Sequence, residues 1–216
     1  MTEPDVVVVA SGPGPSVTVP GASTVIAADG GLDRATALGL DVDVVIGDLD
    51  SVSAGALAAA EAAGARVVRH PEAKDATDLE LALDEAVRLG ARRVLLVASA
   101  EGRLDHLLGS LLLLGADAYA AIELDAIVGD AIVHVVRGER ALRGSPGELL
   151  SLVAVGGPAT GVVTNGLDFP LAAETLHPGS SRGISNVFTS TEASVAIDAG
   201  VLLAIRPGAA EAVSPG

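Results

Sequence analysis

Asp43-Val44-Val45-Ile46-Gly47-Asp48-Leu49-Asp50-Ser51 is the stretch that decides the fold. Val44, Val45 and Ile46 form a short β-branched apolar block bounded by Gly47, which predicts a buried strand ending where the carboxylates begin. The acids therefore fall at a strand's C-terminal edge, where open α/β sheets leave a crevice for ligands. If the extended geometry continues, Asp48 and Asp50 leave the same face, about 6–7 Å apart at the Cα level. Two carboxylates so placed repel each other unless a cation lies between them. Mg2+ suits, because it takes hard oxygen ligands and completes its shell with water and phosphate. The competing possibility is that both acids only cap the helix that follows.

The flanking sequence repeats the pattern. Val6-Val7-Val8-Val9-Ala10 predicts a buried strand running into the breaker cluster Ser11-Gly12-Pro13-Gly14-Pro15. Thr24 to Ala28 predicts a second, ending at Asp29-Gly30-Gly31, with a helix from Leu32 to Leu38 closed by Gly39. The paired glycines either let backbone approach a ligand or simply make a tight strand-to-helix turn. Downstream, Ser53 caps an Ala-rich helix to about Ala63, and Arg66 to Arg69 is a strand leading to Lys74-Asp75-Ala76-Thr77-Asp78. Thr77 and Glu80 make a capping box, so a helix starts at Asp78 with Leu79, Leu83, Ala86 and Val87 on its apolar side. An acid at that first position also suits the helix dipole without any ligand.

Arg93 to Ala98 is the next strand, followed by Gly102-Arg103-Leu104-Asp105-His106 and an apolar helix from Leu107 to Leu114. His106 is read equally well as a partly buried helix residue. Four successive strands thus end in Asp-Gly-Gly, Gly-Asp-x-Asp-Ser, Lys-Asp-x-Thr-Asp and Gly-Arg-x-Asp-His. In a parallel sheet these loops share one edge, and turn chemistry alone seldom puts acids there so consistently. The pattern points to a metal-phosphate site.

Composition narrows the function classes. Half of the 216 residues are hydrophobic, ample for a buried core, yet there are only two Phe, one Tyr and no Trp. A formal charge of −15 argues against nucleic-acid binding, which needs Lys and Arg to displace counterions. Phosphate binding would therefore need a metal and a few local cations. No cysteine is present, which excludes disulfides, thiolate zinc sites and a thiol nucleophile. Met1-Thr2-Glu3-Pro4-Asp5 lacks the positive start of a secretory signal, and no apolar run reaches membrane-spanning length. A cytoplasmic protein without membrane partners is expected.

Beyond about Leu124 the texture changes to short β-favouring runs split by Gly, Pro, Asn and Asp: 126–136, 149–155, 161–164, 194–197 and 201–205. The expected architecture is an α/β domain over 1–125, with a mostly parallel sheet and flanking helices, followed by an all-β sandwich over 126–216. The boundary is expected between Ala121 and Arg140, and the tail from Pro207 is expected to fray. Ser180-Ser181-Arg182-Gly183-Ile184-Ser185-Asn186 is the β domain's one polar loop rich enough to recognise a ligand, if it is more than an ordinary surface loop.

The four loop motifs in this order, followed by a β domain with a Ser-Asn loop, resemble the thiamine pyrophosphokinase family, from roughly Asp29 to Ile205. The resemblance implies an α/β catalytic domain with a β-sandwich domain, assembled as a homodimer with thiamine near the subunit interface. It implies transfer of the β,γ-pyrophosphoryl unit of ATP to the thiamine hydroxyl with Mg2+, releasing AMP. Asp48, Asp50 and Asp78 would hold Mg2+ and the triphosphate, with Asp29, Gly30, Gly31, Ser51, Lys74 and His106 on the nucleotide side. Asp105 would orient or deprotonate the hydroxyl, Arg103 would neutralise developing phosphoryl charge with help from Lys74, and Ser185 and Asn186 match the position that holds the pyrimidine.

Glu101 departs from the family's usual glycine before Gly102-Arg103, and Val187 replaces an acid common in bacterial relatives. Two alternatives are transfer onto another hydroxymethyl heterocycle such as a pterin alcohol, and a non-catalytic homologue that binds nucleotide or thiamine phosphate.

Overall fold

The computed structural model describes residues 3–14, 17–73 and 75–210, which divide into two compact units. The first unit holds the described residues up to Ser110 together with 121–130 and Ala210; the second holds 111–120 and 131–209.

In the first unit the apolar runs become strands β1 (Val6–Val9), β2 (Thr24–Ala28), β3 (Val44–Gly47), β4 (Arg66–Arg69), β5 (Arg93–Ala98) and β6 (Glu123–Val128). They pair in the order β6-β5-β1-β2-β3-β4, every pair parallel. β1 and β3 are buried along their whole length, as continuous β-branched runs in a parallel sheet should be. The edge strand β4 instead keeps Arg66 and Arg69 exposed, which guards the free edge against pairing. Strands β2 to β5 are each followed by a helix: α1 (Gly31–Ala37), α2 (Ala54–Ala63), α3 (Asp78–Arg88) and α4 (Leu104–Leu113). The chain steps outward from β1 to β4 and then returns to β5 on the other side of β1. That reversal is the topological switch point at which ligand crevices form.

Caps start the helices where expected. Ser53 Oγ accepts from Ala56 N (3.3 Å) ahead of α2, and Thr77 Oγ1 accepts from Glu80 N (3.2 Å) ahead of α3. α3 packs across β1, β2 and β3 and buries Leu79, Ala82, Leu83 and Ala86, an i, i+3, i+4, i+7 face. Val87, expected on that face, is exposed, because the helical period gives its place to Ala82. Glu85 is buried on the same helix, where Arg88 and then Arg66 pair with its carboxylate and lower its pKa below the usual glutamate value. Leu83→Ala should therefore cost about 2–5 kcal/mol of stability, against within about 0.5 kcal/mol for Val87→Ala. Urea titration of the two variants measures the difference.

The second unit takes in the last residues of α4 and a 3-10 turn, Asp117–Tyr119, and its regular elements are then all β: β7 (Ala131–Val136), β8 (Glu139–Arg143), β9 (Leu149–Ala154), β10 (Ala159–Asn165), β11 (Glu174–Leu176), β12 (Asn186–Val187), β13 (Glu192–Ala196) and β14 (Leu202–Arg206). These strands form two antiparallel layers, β12-β9-β14-β7 and β11-β10-β13-β8. β9 alternates buried and less buried positions, and its Leu150, Leu152 and Ala154 join Leu142, Val162, Leu176, Phe188 and Val195 in one apolar core. This is the sandwich that the alternation predicts.

Two expectations need correction. The run 126–136 is not one β-domain segment: its first part belongs to β6, paired in parallel with β5, and the units divide after Asp130 rather than at 125/126. A turn at Gly129 (φ +62) and Asp130 separates β6 from β7, hidden in a sequence that stays apolar on both sides. The chain after Pro207 is not frayed as far as it is described: Ala209 and Ala210 are buried, and Ala210 N donates to Asp130 O (2.9 Å). The expectation for 211–216 falls outside the described residues. No helix among the described residues is long and apolar enough to cross a membrane.

Candidate functional site

Because β2, β3, β4 and β5 are parallel, the loops that follow them open on one rim of the sheet. At that rim Asp29, Asp48 and Asp78 each offer a carboxylate oxygen, and these three atoms lie within 4.8 Å of one another. Asp29 follows β2, Asp48 follows β3 and Asp78 opens α3, so three segments well apart in sequence supply one cluster. The parallel register that sets Ala28 beside Ile46 carries Asp29 next to Gly47. A Cβ on Gly47 would lie 3.0 Å from Asp78 Oδ1 and 3.1 Å from Asp29 Cβ, so only glycine leaves the carboxylates room to converge. Asp29 adopts a left-handed backbone (φ +48), which aspartate tolerates better than most residues.

Asp50, expected as a metal ligand, is not part of the trio; Asp29 takes that position. The reason is local. Leu49 turns left-handed (φ +68), so the extended geometry that would aim Asp48 and Asp50 the same way ends there. Asp50 N instead folds back onto Asp48 Oδ1 (3.2 Å), and the exposed Asp50 carboxylate accepts from Ser51 Oγ (2.8 Å). The signal that could have identified Asp29 was already in the sequence: a carboxylate directly ahead of Gly-Gly, at the end of the strand next to β3.

The donor set fits a hard divalent cation. Asp29 is buried, and its Oδ1 has no hydrogen-bond partner. Leaving a buried acceptor unsatisfied costs about 1–3 kcal/mol or more when it is charged, and three neighbouring carboxylates add mutual repulsion. A cation among all-oxygen donors relieves both, and such donors select Mg2+, Mn2+ or Ca2+ over softer metals.

Gly31 is required by packing, since a Cβ there would overlap the Val9 carbonyl oxygen, whereas a Cβ on Gly30 would face Ser11 Oγ (3.2 Å) and Ser51 O (3.4 Å). Lys74 lies outside the described residues. At the start of α4, Arg103 forks onto Asp105 through Nε to Oδ1 (3.2 Å) and Nη2 to Oδ2 (2.6 Å), and His106 N donates to Oδ1 (3.0 Å). The Arg103 guanidinium, followed by the His106 backbone donor, holds the Asp105 carboxyl down at about 2. Arg103, Asp105 and His106 are all exposed on the rim, so His106 is not the partly buried helix residue that the sequence allowed.

In the second unit Ser185 is exposed and left-handed (φ +58), with its N–H on Ser151 Oγ (3.0 Å). Asn186 is buried beneath it. The Asn186 amide donates to Phe169 O (2.8 Å) and accepts from Phe169 N (3.0 Å) and Val187 N (2.9 Å), bracing the loop.

Two family models match the chain: thiamin pyrophosphokinase, catalytic domain, over residues 18–130, and thiamin pyrophosphokinase, vitamin B1 binding domain, over residues 132–202. Among solved structures the chain resembles thiamine pyrophosphokinase from Bacillus subtilis, with 24% identity, TM-score 0.80, and 94% of this chain and 98% of that one covered. Thiamin pyrophosphokinase from Geobacillus thermodenitrificans matches at 25% identity and TM-score 0.77, over 94% of this chain and 96% of that one. The enzyme from Candida albicans shares the fold at 13% identity, with TM-score 0.73 over 94% and 88%. No curated protein sequence matches the chain.

Proposed function

Since the chain belongs to the thiamin pyrophosphokinase family, we propose that it transfers the β,γ-pyrophosphoryl unit of ATP to the hydroxyl of thiamine with Mg2+, giving thiamine pyrophosphate and AMP. The observation that carries this reading is the convergence of Asp29, Asp48 and Asp78 at the rim of a parallel sheet. Phosphoryl transfer asks mainly for positioning and charge neutralisation, and carboxylates from three separate segments suit a ligand with several phosphates. Held there, Mg2+ would supply the positive charge that a protein of net charge −15 otherwise withholds from a polyphosphate.

Asp29, Asp48 and Asp78 hold the metal-nucleotide complex, and Asp50 and Ser51 shape the turn beside it. Gly30 and Gly31 keep the rim free of side chains, and Lys74 adds a cation on the nucleotide side. Arg103 stands ready to neutralise phosphoryl oxygens. Asp105 orients the attacking hydroxyl by accepting its hydrogen bond, because a carboxylate that titrates at about 2 is too weak a base to take the proton outright. His106 supports Asp105 through its backbone N–H. Ser185, pinned in a strained conformation over Asn186, is the polar contact proposed for the pyrimidine of thiamine. The working assembly is a homodimer, and a cytoplasmic setting, which supplies ATP and Mg2+, fits the reaction.

AMP formation assayed with thiamine and with a hydroxymethylpterin tests the acceptor. AMP with thiamine is expected. AMP with the pterin alone would overturn the assignment, and Mg·ATP binding without AMP from either would mark a protein that binds but does not turn over.

The Asp105 assignment also has a titration signature. Its carboxyl is depressed, so the charged pair with Arg103 is intact at neutral pH and is lost only as pH falls through about 2. NMR titration of the Asp105 carboxyl carbon should show that midpoint. Arg103→Gln should return it toward ~3.9, the ordinary aspartate range.

A further inference from the structure

We propose that Asp33, in the first turn of α1, is a positioning residue that sets Asp48 against Asp29 and Asp78 by holding the far end of the loop after β3 through Ser53. The inference rests on the divalent-cation reading of that trio. Asp33 itself belongs to none of the loop motifs that name the site, and α1 is only seven residues long.

The loop needs an outside hold for two reasons. Three carboxylates brought within 4.8 Å push one another apart, and Asp48 sits on an irregular loop rather than within a strand or helix. The loop also bends through left-handed Leu49, a conformation leucine rarely adopts unless its surroundings enforce it. α1 supplies both restraints. Leu32 packs with Leu49, Ala27 and Val45 in one buried cluster. Its neighbour Asp33 accepts from Ser53 Oγ through Oδ1 (2.6 Å) and from Ser53 N through Oδ2 (3.1 Å). Ser53 Oγ in turn accepts from Ala56 N, so the hydroxyl that donates to Asp33 also caps α2.

α1 cannot slide to follow the loop. Gly31 is jammed against the Val9 carbonyl, and buried Arg34 donates through Nη1 to Gly12 O and Pro13 O, both at 3.2 Å. Four consecutive residues therefore tie this turn to the ends of β1 and β3. The Asp33 carboxylate adds a polar tie from this turn to the far end of the loop bearing Asp48. Without it, that end of the loop loses a restraint against the carboxylate repulsion.

Mn2+ alone serves as the probe, with free ion counted by electron spin resonance in wild type, Asp33→Ala, Ser53→Ala, the double variant and Asp48→Ala. Asp33→Ala and Ser53→Ala should each weaken Mn2+ binding about tenfold, the lower end of the effect of losing an outer partner of a metal ligand. The double variant should be no weaker than the worse single one by more than about twofold, because both remove one interaction. Asp33→Asn, which keeps an acceptor and the side-chain shape, should fall between wild type and Asp33→Ala and serves if the alanine variant does not fold.

Asp33→Ala with wild-type Mn2+ affinity, whether or not its melting temperature falls, would overturn the inference and leave Asp33 as a support for the α2 cap. If Asp48→Ala also kept wild-type affinity, the failure would lie in the trio reading itself.

Discussion

Asp105→Asn should lower kcat by about 10²–10³-fold while the affinity for Mg·ATP stays within a few-fold of wild type. The expectation follows from where the charge sits. Asp105 lies in the first turn of α4, after β5, and the carboxylate trio comes from the loops after β2, β3 and β4, so the two groups are supplied by different strands of one rim. Asparagine keeps an oxygen that can accept from Arg103 and preserves the side chain's outline. It loses the negative charge that pairs with Arg103 and that is proposed to orient the acceptor hydroxyl. An interaction of this kind is felt when the hydroxyl attacks and not when nucleotide binds, so kcat and kcat/KM for thiamine should fall together. Steady-state kinetics with AMP release as the signal, paired with calorimetric Mg·ATP binding, separates the two. A variant that lost nucleotide binding in proportion to turnover would move Asp105 from the acceptor side to the nucleotide side.

The sequence made the sheet legible because its strands are dense in residues that want burial on both faces: Val6–Val9, Val44–Ile46 and Arg93–Ala98 have no other stable place. Helix starts at Ser53 and Thr77 were equally legible, since a short hydroxyl side chain three residues ahead of an orphan N–H is a local event. What escaped was set by tertiary context. Leu49 turns left-handed although leucine has no intrinsic preference for it, and that one residue reassigns the third carboxylate from Asp50 to Asp29.

Asn186 illustrates the same limit from the other side. Its residue type suits a ligand contact, but its amide both donates to and accepts from the backbone of Phe169, a partnership 17 residues distant that no spacing rule reveals. The β6–β7 turn was hidden for a third reason. Apolar residues on both sides of Gly129-Asp130 belong to different compact units, and hydropathy does not record which.

Asp29→Asn should separate stability from function in a single substitution. In the metal-free protein Asp29 carries a buried oxygen with no donor and stands among two other carboxylates, so its charge opposes folding. An asparagine removes one negative charge and brings an amide that can donate to the neighbouring acids. The metal-free variant should therefore be more stable by about 1 kcal/mol, a rise of about 2–4 °C in Tm for a chain of this size.

Metal binding moves the opposite way. Attraction between a carboxylate and a divalent ion a few Å away amounts to several kcal/mol even at an effective dielectric near 20, so affinity for Mg2+ should drop by roughly 100-fold or more. Because a ligand that binds only the folded state stabilises it by RT ln(1 + [L]/Kd), wild type should gain stability on adding millimolar Mg2+ and Asp29→Asn should not. Asp50→Asn is the internal control: Asp50 is exposed and engaged with Ser51 Oγ, so that variant should keep both the wild-type Tm and its Mg2+ response. Thermal melts with and without Mg2+ on the two variants decide between them. If the Mg2+ response vanished in Asp50→Asn and survived in Asp29→Asn, the cation would sit on the outer face of the loop after β3, and the buried carboxylate of Asp29 would need another explanation.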